Sequence, residues 1–387
     1  MAAIADRVAV DAPAPAVEPP TAAPDKAPSE GRLYVLDLLR FAAVALVVGC
    51  HLMPVAAYAA GSTPDDYWPH AVLQISRYGW MGVELFFLIS GFVICMSSWG
   101  RSLSQFVTSR VTRLWPAYVL AVVLISAVLT MWPEPDKSGP EFAQVLANLT
   151  MVQDLMGIAS VDPVYWSLLA ELKFYLIFAI VVRAGLTYRR VVGFCVVWTV
   201  ASLLAQASGF PLLTELLDPA FTSYFVAGVT LYLMHRFGPN LVLWGLLVTS
   251  WILASAMLNG EIGKMIQRGD HVNFGTGFLL LTAFFLVLVA VALGWFSWMR
   301  WRGMVMIGAL TYPVYLLHYH LGKTAFREWH DVRPSWLLGV GVLAGILVLA
   351  YVVHRLVERP VSAALRRGLR AAFDDIRRHS APEQRRG

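Results

Sequence analysis

The chain has 387 residues, of which 58% are hydrophobic and 14% charged, and its net charge is +5. A soluble globule of this length could not hide so much apolar side chain. The composition therefore excludes that class and selects a polytopic membrane protein with one membrane domain. Cys50, Cys95 and Cys195 each lie in an apolar run without CxxC spacing, so they read as buried bystanders, and no metal signature is present.

Residues 1–31 are polar and rich in Ala and Pro. They read as a disordered cytosolic tail without a cleavable signal peptide, which leaves the first span as the insertion signal. A crossing takes about 20 apolar residues. Ten runs approach this, near 33–53, 78–98, 114–132, 165–183, 191–208, 220–235, 240–258, 273–295, 303–322 and 335–356. The sixth is short, and the fourth contains Glu171 and Lys173. Ten spans put both termini on one side. With that side cytosolic, the inner segments hold 21 Lys or Arg and the outer segments 7, while Arg40 and Lys173 fall within spans. This asymmetry predicts both ends inside. The expected fold is an all-α polytopic bundle of about ten transmembrane helices, with residues 32–360 as its membrane domain.

The outer connection 133–164 opens with a turn-rich run and predicts a short interfacial helix after it. Asn148-Leu149-Thr150 fits a glycosylation sequon and reads as chance. Residues 361–387 form a basic tail, with Leu365, Leu369, Phe373 and Ile376 on one helical face and Arg366, Arg367, Arg370, Arg377 and Arg378 around them. That pattern suits a helix on an anionic leaflet, or a solvated tail.

Ionisable groups in hydrocarbon cost several kcal/mol, so they usually face a protein interior and have a task. The first span carries Asp37, Arg40 and His51. Arg40 and His51 are three helical turns apart on one face, separated by roughly 16 Å, and Asp37 sits one turn before Arg40. The plain alternative is an arginine that snorkels and a histidine satisfied by a neighbour. The second span carries Glu84 and Ser90-Gly91. Arg110 and Arg113, one turn apart before the third span, suit phosphates or ordinary positive-inside anchoring. Ser167, Glu171 and Tyr175 recur along one face of the fourth span. The ninth is polar, with Thr311, Tyr312, Tyr315, His318 and His320 around Pro313. The tenth ends at Glu358 and Arg359.

In this order the residues resemble the acyltransferase-3 family of integral-membrane acyltransferases, over roughly 32–360. The likeness rests on Arg40 and His51 with ten residues between them, on Arg110 and Arg113, and on Gly82 through Phe92. It continues through Trp166, Ser167, Leu168, Glu171, Phe174 and Tyr175, and through Thr311, Tyr312, Tyr315 and His318. Leu172 stands where many members have a second Glu, and Thr311 where Ser is common. The extra hydrolase domain of some members is absent, so the membrane domain or another protein is expected to complete the transfer.

The resemblance implies transfer of an acyl group, usually acetyl, from the co-substrate acyl-CoA to a hydroxyl, with no bound cofactor. Acceptors in the family include surface glycans and, in some actinomycetes, macrolides. The Ala/Pro-rich and Arg-rich tails look like those of a high-GC actinomycete, and a stand-alone chain of this length resembles the macrolide-modifying members. The expected acceptor is therefore a macrolide or a glycan, the macrolide favoured, at a bacterial plasma membrane and with no nucleic acid. A hydroxyl needs a base, and His titrates near neutral pH. His51 is the expected base, with Arg40 and Glu171 as catalytic partners and Arg110 and Arg113 holding the phosphates of CoA. Glu84, Ser167, Tyr175, Tyr315 and His318 are expected to support or bind substrate. Glu171 or Glu84 could orient His51. Competing readings are a proton-coupled secondary transporter, which also uses intramembrane Arg, His and Glu, and a lipid-binding component without chemistry.

Overall fold

A computed structural model describes residues 33–135, 137–301, 303–332 and 335–379. The tail expected over 1–31 and the last residues of the C-terminal tail lie outside the described residues. The described chain is all-α. Its long helices are α1 (Tyr34–Ala59), α2 (Gly82–Ser98), α3 (Leu103–Met131), α4 (Trp166–Ala184) and α5 (Tyr188–Ser208). They continue with α6 (Pro219–Phe237), α7 (Leu241–Gln267), α8 (Phe274–Ala292), α9 (Gly303–Glu328), α10 (Ser335–Val353) and α11 (Arg359–His379). Local chemistry sets several starts. Ser102 and Gln105 form a capping box on α3, and Asn240 and Asn273 accept from the first turns of α7 and α8.

Nine helices among the described residues are long and apolar enough to cross a membrane. Nine of the ten expected spans fall on them. The remaining one is α9, which has 26 residues but a polar middle. It tolerates that polarity because it packs along α1, with Thr311, His318 and His320 buried within the protein. Val44, Val48 and Leu52 of α1 meet Val314 and Phe326 of α9 and Val342 and Ile346 of α10 in one buried cluster. On its other side α1 packs on α2, where Gly82 lies against the Ala43 carbonyl. Gly91 of α2 and Gly228 of α6 face each other so closely that a Cβ on either would strike the partner's backbone.

The third span starts earlier than its apolar run suggests. Helix α3 begins at Leu103, so Arg110 and Arg113 lie inside a 29-residue helix instead of before it. Pro116 within it cannot donate to the Thr112 carbonyl, and the Ser362 hydroxyl of α11 fills that place at 2.6 Å. Helix α11 is thereby tied to α3, with Leu365, Leu369 and Phe373 half-buried and Ile376 exposed. The connection 133–164 carries the expected short helix, Phe142–Asn148. Asn148 is fully buried: its Oδ1 accepts from the Val161 amide, and its Nδ2 donates to the carbonyls of Gln144 and Ala159. That use of the amide agrees with reading the sequon as chance.

Candidate active site

His51 on α1 and His318 on α9 meet, with His51 Nδ1 and His318 Nε2 2.9 Å apart and the rings near-parallel at 17°. His318 is fully buried, and its Nδ1 lies 2.8 Å from the Tyr315 carbonyl. A carbonyl only accepts, so Nδ1 of His318 holds the proton and its Nε2 offers a lone pair. In the neutral pair that lone pair takes the Nδ1–H of His51. The Nε2 of His51 is then left unprotonated. His51 lines a cavity of about 600 Å³ between α1, α2, α4, α6, α7 and α9. Tyr319 packs edge-on against its ring at 5.0 Å, and Trp166 and Phe221, stacked on each other, form part of the wall.

Tyr315, also at this cavity, lies 2.6 Å from Ser167 Oγ and donates to the Val164 carbonyl at 3.0 Å. The start of α4 is thus fastened to α9 beside the histidines. Glu84 lines the same cavity, buried, with its Oε2 lacking a hydrogen-bond partner. Neither Glu84 nor Glu171 orients His51. His318 takes that place.

The arginines gather toward the opposite end of α1. Arg40 is buried, with its Nε unpartnered, and among the described residues no ion pair reaches it. Its electrostatic surroundings are Arg113, Glu171, Asp37 and Tyr175. Arg110 is buried between the rings of Phe106 and Tyr175, at 5.9 and 5.7 Å, donates to Ser97 Oγ at 3.0 Å, and also has an unpartnered Nε. Arg113 is exposed and acts on both other arginines. Glu171 belongs to this group and accepts from Ser90 Oγ at 3.0 Å. Three guanidinium groups near two carboxylates, Glu171 and Asp37, leave one positive charge over, which suits an anionic ligand with several oxygens.

A narrow throat of about 20 Å³ adjoins the large cavity on the side toward the arginines, none of which lines it. It shares Val47, Val83 and Tyr315 with the large cavity and reaches Ala43, Thr311 and Tyr312. Ala43 is one turn from Arg40. Tyr312 is fixed there by donating to the Leu114 carbonyl at 3.1 Å.

Sequence reasoning missed several residues. Asp162 is fully buried just before α4, accepting from the Val164 amide at 3.1 Å and the His320 amide at 3.4 Å. Burial raises its carboxyl to about 7. Glu261 of α7 and Trp80 also line the cavity. Lys173, unassigned from sequence, pairs with Glu215 and Asp218 in the linker before and at the start of α6. His320 lies 3.9 Å from Glu134, whose carboxyl Lys137 and Lys323 hold down at about 2.

A family model described as an acyltransferase domain matches residues 33–355. Among curated proteins, Acyltransferase MdmB of Streptomyces mycarofaciens is 25% identical over 376 residues, which are 87% of this chain and 93% of that protein. No solved structure matches the chain.

Proposed function

The chain belongs to this acyltransferase family, and within it we propose that the protein moves an acetyl or other short acyl group from acyl-CoA to a hydroxyl of a macrolide or glycan, the macrolide being preferred. The observation that carries this reading is the bare Nε2 of His51 at a cavity large enough for a substantial acceptor. The acceptor hydroxyl gives its proton to that nitrogen as its oxygen attacks the thioester carbonyl. The C–S bond then breaks, and the departing sulfur takes the proton back from the imidazolium, leaving an ester and free CoA. During the charged interval the Nδ1–H of His51 stays on His318 Nε2, which holds the ring in place.

The donor's phosphates fit the surplus charge of Arg40, Arg110 and Arg113, and its acyl end would reach His51 through the throat. A space of about 20 Å³ holds about one water, so the throat widens when the arm enters. Glu171 steadies the arginines in this scheme. The similarity to an acyltransferase of a Streptomyces species supports the enzyme reading over transport or lipid binding. The bacterial plasma membrane and cytosolic termini complete the proposal.

The test uses the purified full-length chain in detergent, acetyl-CoA and a panel of hydroxylated macrolides and glycans. Mass spectrometry should find one acceptor heavier by one acyl group, with stoichiometric free CoA. Absence of product from every acyl-CoA and acceptor, with protein that remains folded, would reject the reading.

A further inference from the structure

The large cavity is acidic and aromatic. Glu84 is 7% exposed, and its Oε2 has no hydrogen-bond partner. Glu261, on α7, is a second carboxylate in the lining and lies within electrostatic reach of Glu84. Its Oε1 is met by Lys264 one turn on at 2.6 Å, both side chains being exposed, so its charge is partly answered by lysine and solvent. Among the lining residues there is no Lys or Arg. Tyr224, within electrostatic reach of both carboxylates, and Trp80, Trp166 and Phe221 supply ring faces.

A carboxyl buried with one bare oxygen asks for a donor, and most of all for a positive one. Aromatic faces around it attract a cation further, most strongly where water is thin. Acyl transfer itself needs neither feature, because His51 and His318 form the proton relay on the α1–α9 side. Resting on the reading of this cavity as the acceptor site, we propose that the acceptor is an organic cation: a bulky hydroxyl compound bearing a protonated amine. The ammonium sits against Glu84 among the rings, with Glu261 toward the rim, while the hydroxyl reaches His51 Nε2.

The test measures equilibrium binding to the full-length protein in detergent without donor. One probe is a macrolactone carrying a dimethylamino sugar, and the other is the same compound with hydroxyl in place of the amine. The amine should bind more tightly by about tenfold or more, the size of a partly desolvated cation contact. In Glu84→Gln that preference should shrink to within about twofold. Equal affinity of the two probes in the unmodified protein overturns the inference, and this comparison needs no variant to fold. Equal weakening of both probes by Glu84→Gln also overturns it, by making Glu84 a partner for any hydroxyl. If the amine is preferred but no acyl product forms, the cation site stands and the acyl-transfer reading fails. If both probes bind equally and both are acylated, the reverse holds.

Discussion

His318→Phe keeps a ring in a fully buried place and removes the nitrogen that accepts from His51, together with the Nδ1–H that donates to the Tyr315 carbonyl. Two consequences follow. The Nδ1–H of His51 loses its acceptor, so the tautomer with a bare Nε2 is no longer selected. The imidazolium formed during attack also loses a hydrogen bond that strengthens as charge develops. A hydrogen bond to a charged group contributes about 1.5–3 kcal/mol, which is roughly 10- to 150-fold in kcat. His51→Gln removes the base itself, and the loss should be on the order of a hundredfold or more. Because both changes act through one proton relay, the double variant should be no slower than His51→Gln alone. The assay is steady-state transfer with thermal melting as a check on folding, and KM for the acceptor should move little. Near-normal kcat in His318→Phe, or losses that multiply in the double variant, would refute the relay.

Three other outcomes are expected. Arg113→Ala, at an exposed position beside two buried arginines, should raise KM for acyl-CoA more than KM for the acceptor, and an unchanged donor KM would return Arg113 to simple anchoring. Reporter fusions at residue 150 should read outside and at residue 187 inside, the reverse pattern rejecting cytosolic termini. Asp162 has a folded-state carboxyl near 7, above its ordinary value, so folding takes up a proton; stability should therefore fall as pH rises from about 4 to about 7 and level off above. Asp162→Asn, which keeps an oxygen for the Val164 amide, should flatten that slope in a melting series, and an unchanged slope would place the titration elsewhere.

Residues that are costly in hydrocarbon were the ones legible in sequence. Arg40, His51, Glu84, Glu171 and the polar middle of α9 stand out because an apolar run has no other reason to hold them. The partnership of His51 with His318 was not legible, since 267 residues separate them and only the packing of α9 on α1 brings them together. Asp162 and Glu261 escaped for the opposite reason. One lies in a polar connection and the other near the end of an amphipathic stretch, where acidic residues are ordinary. The third span was placed from 114 because its apolar run begins there, whereas α3 starts at Leu103 and buries Arg110 between Phe106 and Tyr175. The tie from Ser362 to Thr112 needed Pro116 to free a carbonyl and a distant helix to answer it.

The separation of arginines from histidines along α1 carries its own chemical logic. Were the guanidinium groups beside His51, they would disfavour the imidazolium that must form when the hydroxyl loses its proton. Three turns of helix, roughly 16 Å, keep that repulsion away while still joining the two regions through one rigid element. In the proposed scheme the same distance suits a ligand with charge at one end and reactivity at the other. The apolar throat at Val47, Val83 and Ala43 fits the uncharged middle of such a ligand and leaves little room for water that would compete with the acceptor hydroxyl. A bulky substitution at Ala43, such as Ala43→Phe, should therefore suppress transfer from acyl-CoA while leaving acceptor binding in the large cavity within about twofold. Equal loss of acceptor binding would show that the throat and the cavity do not serve separate substrates.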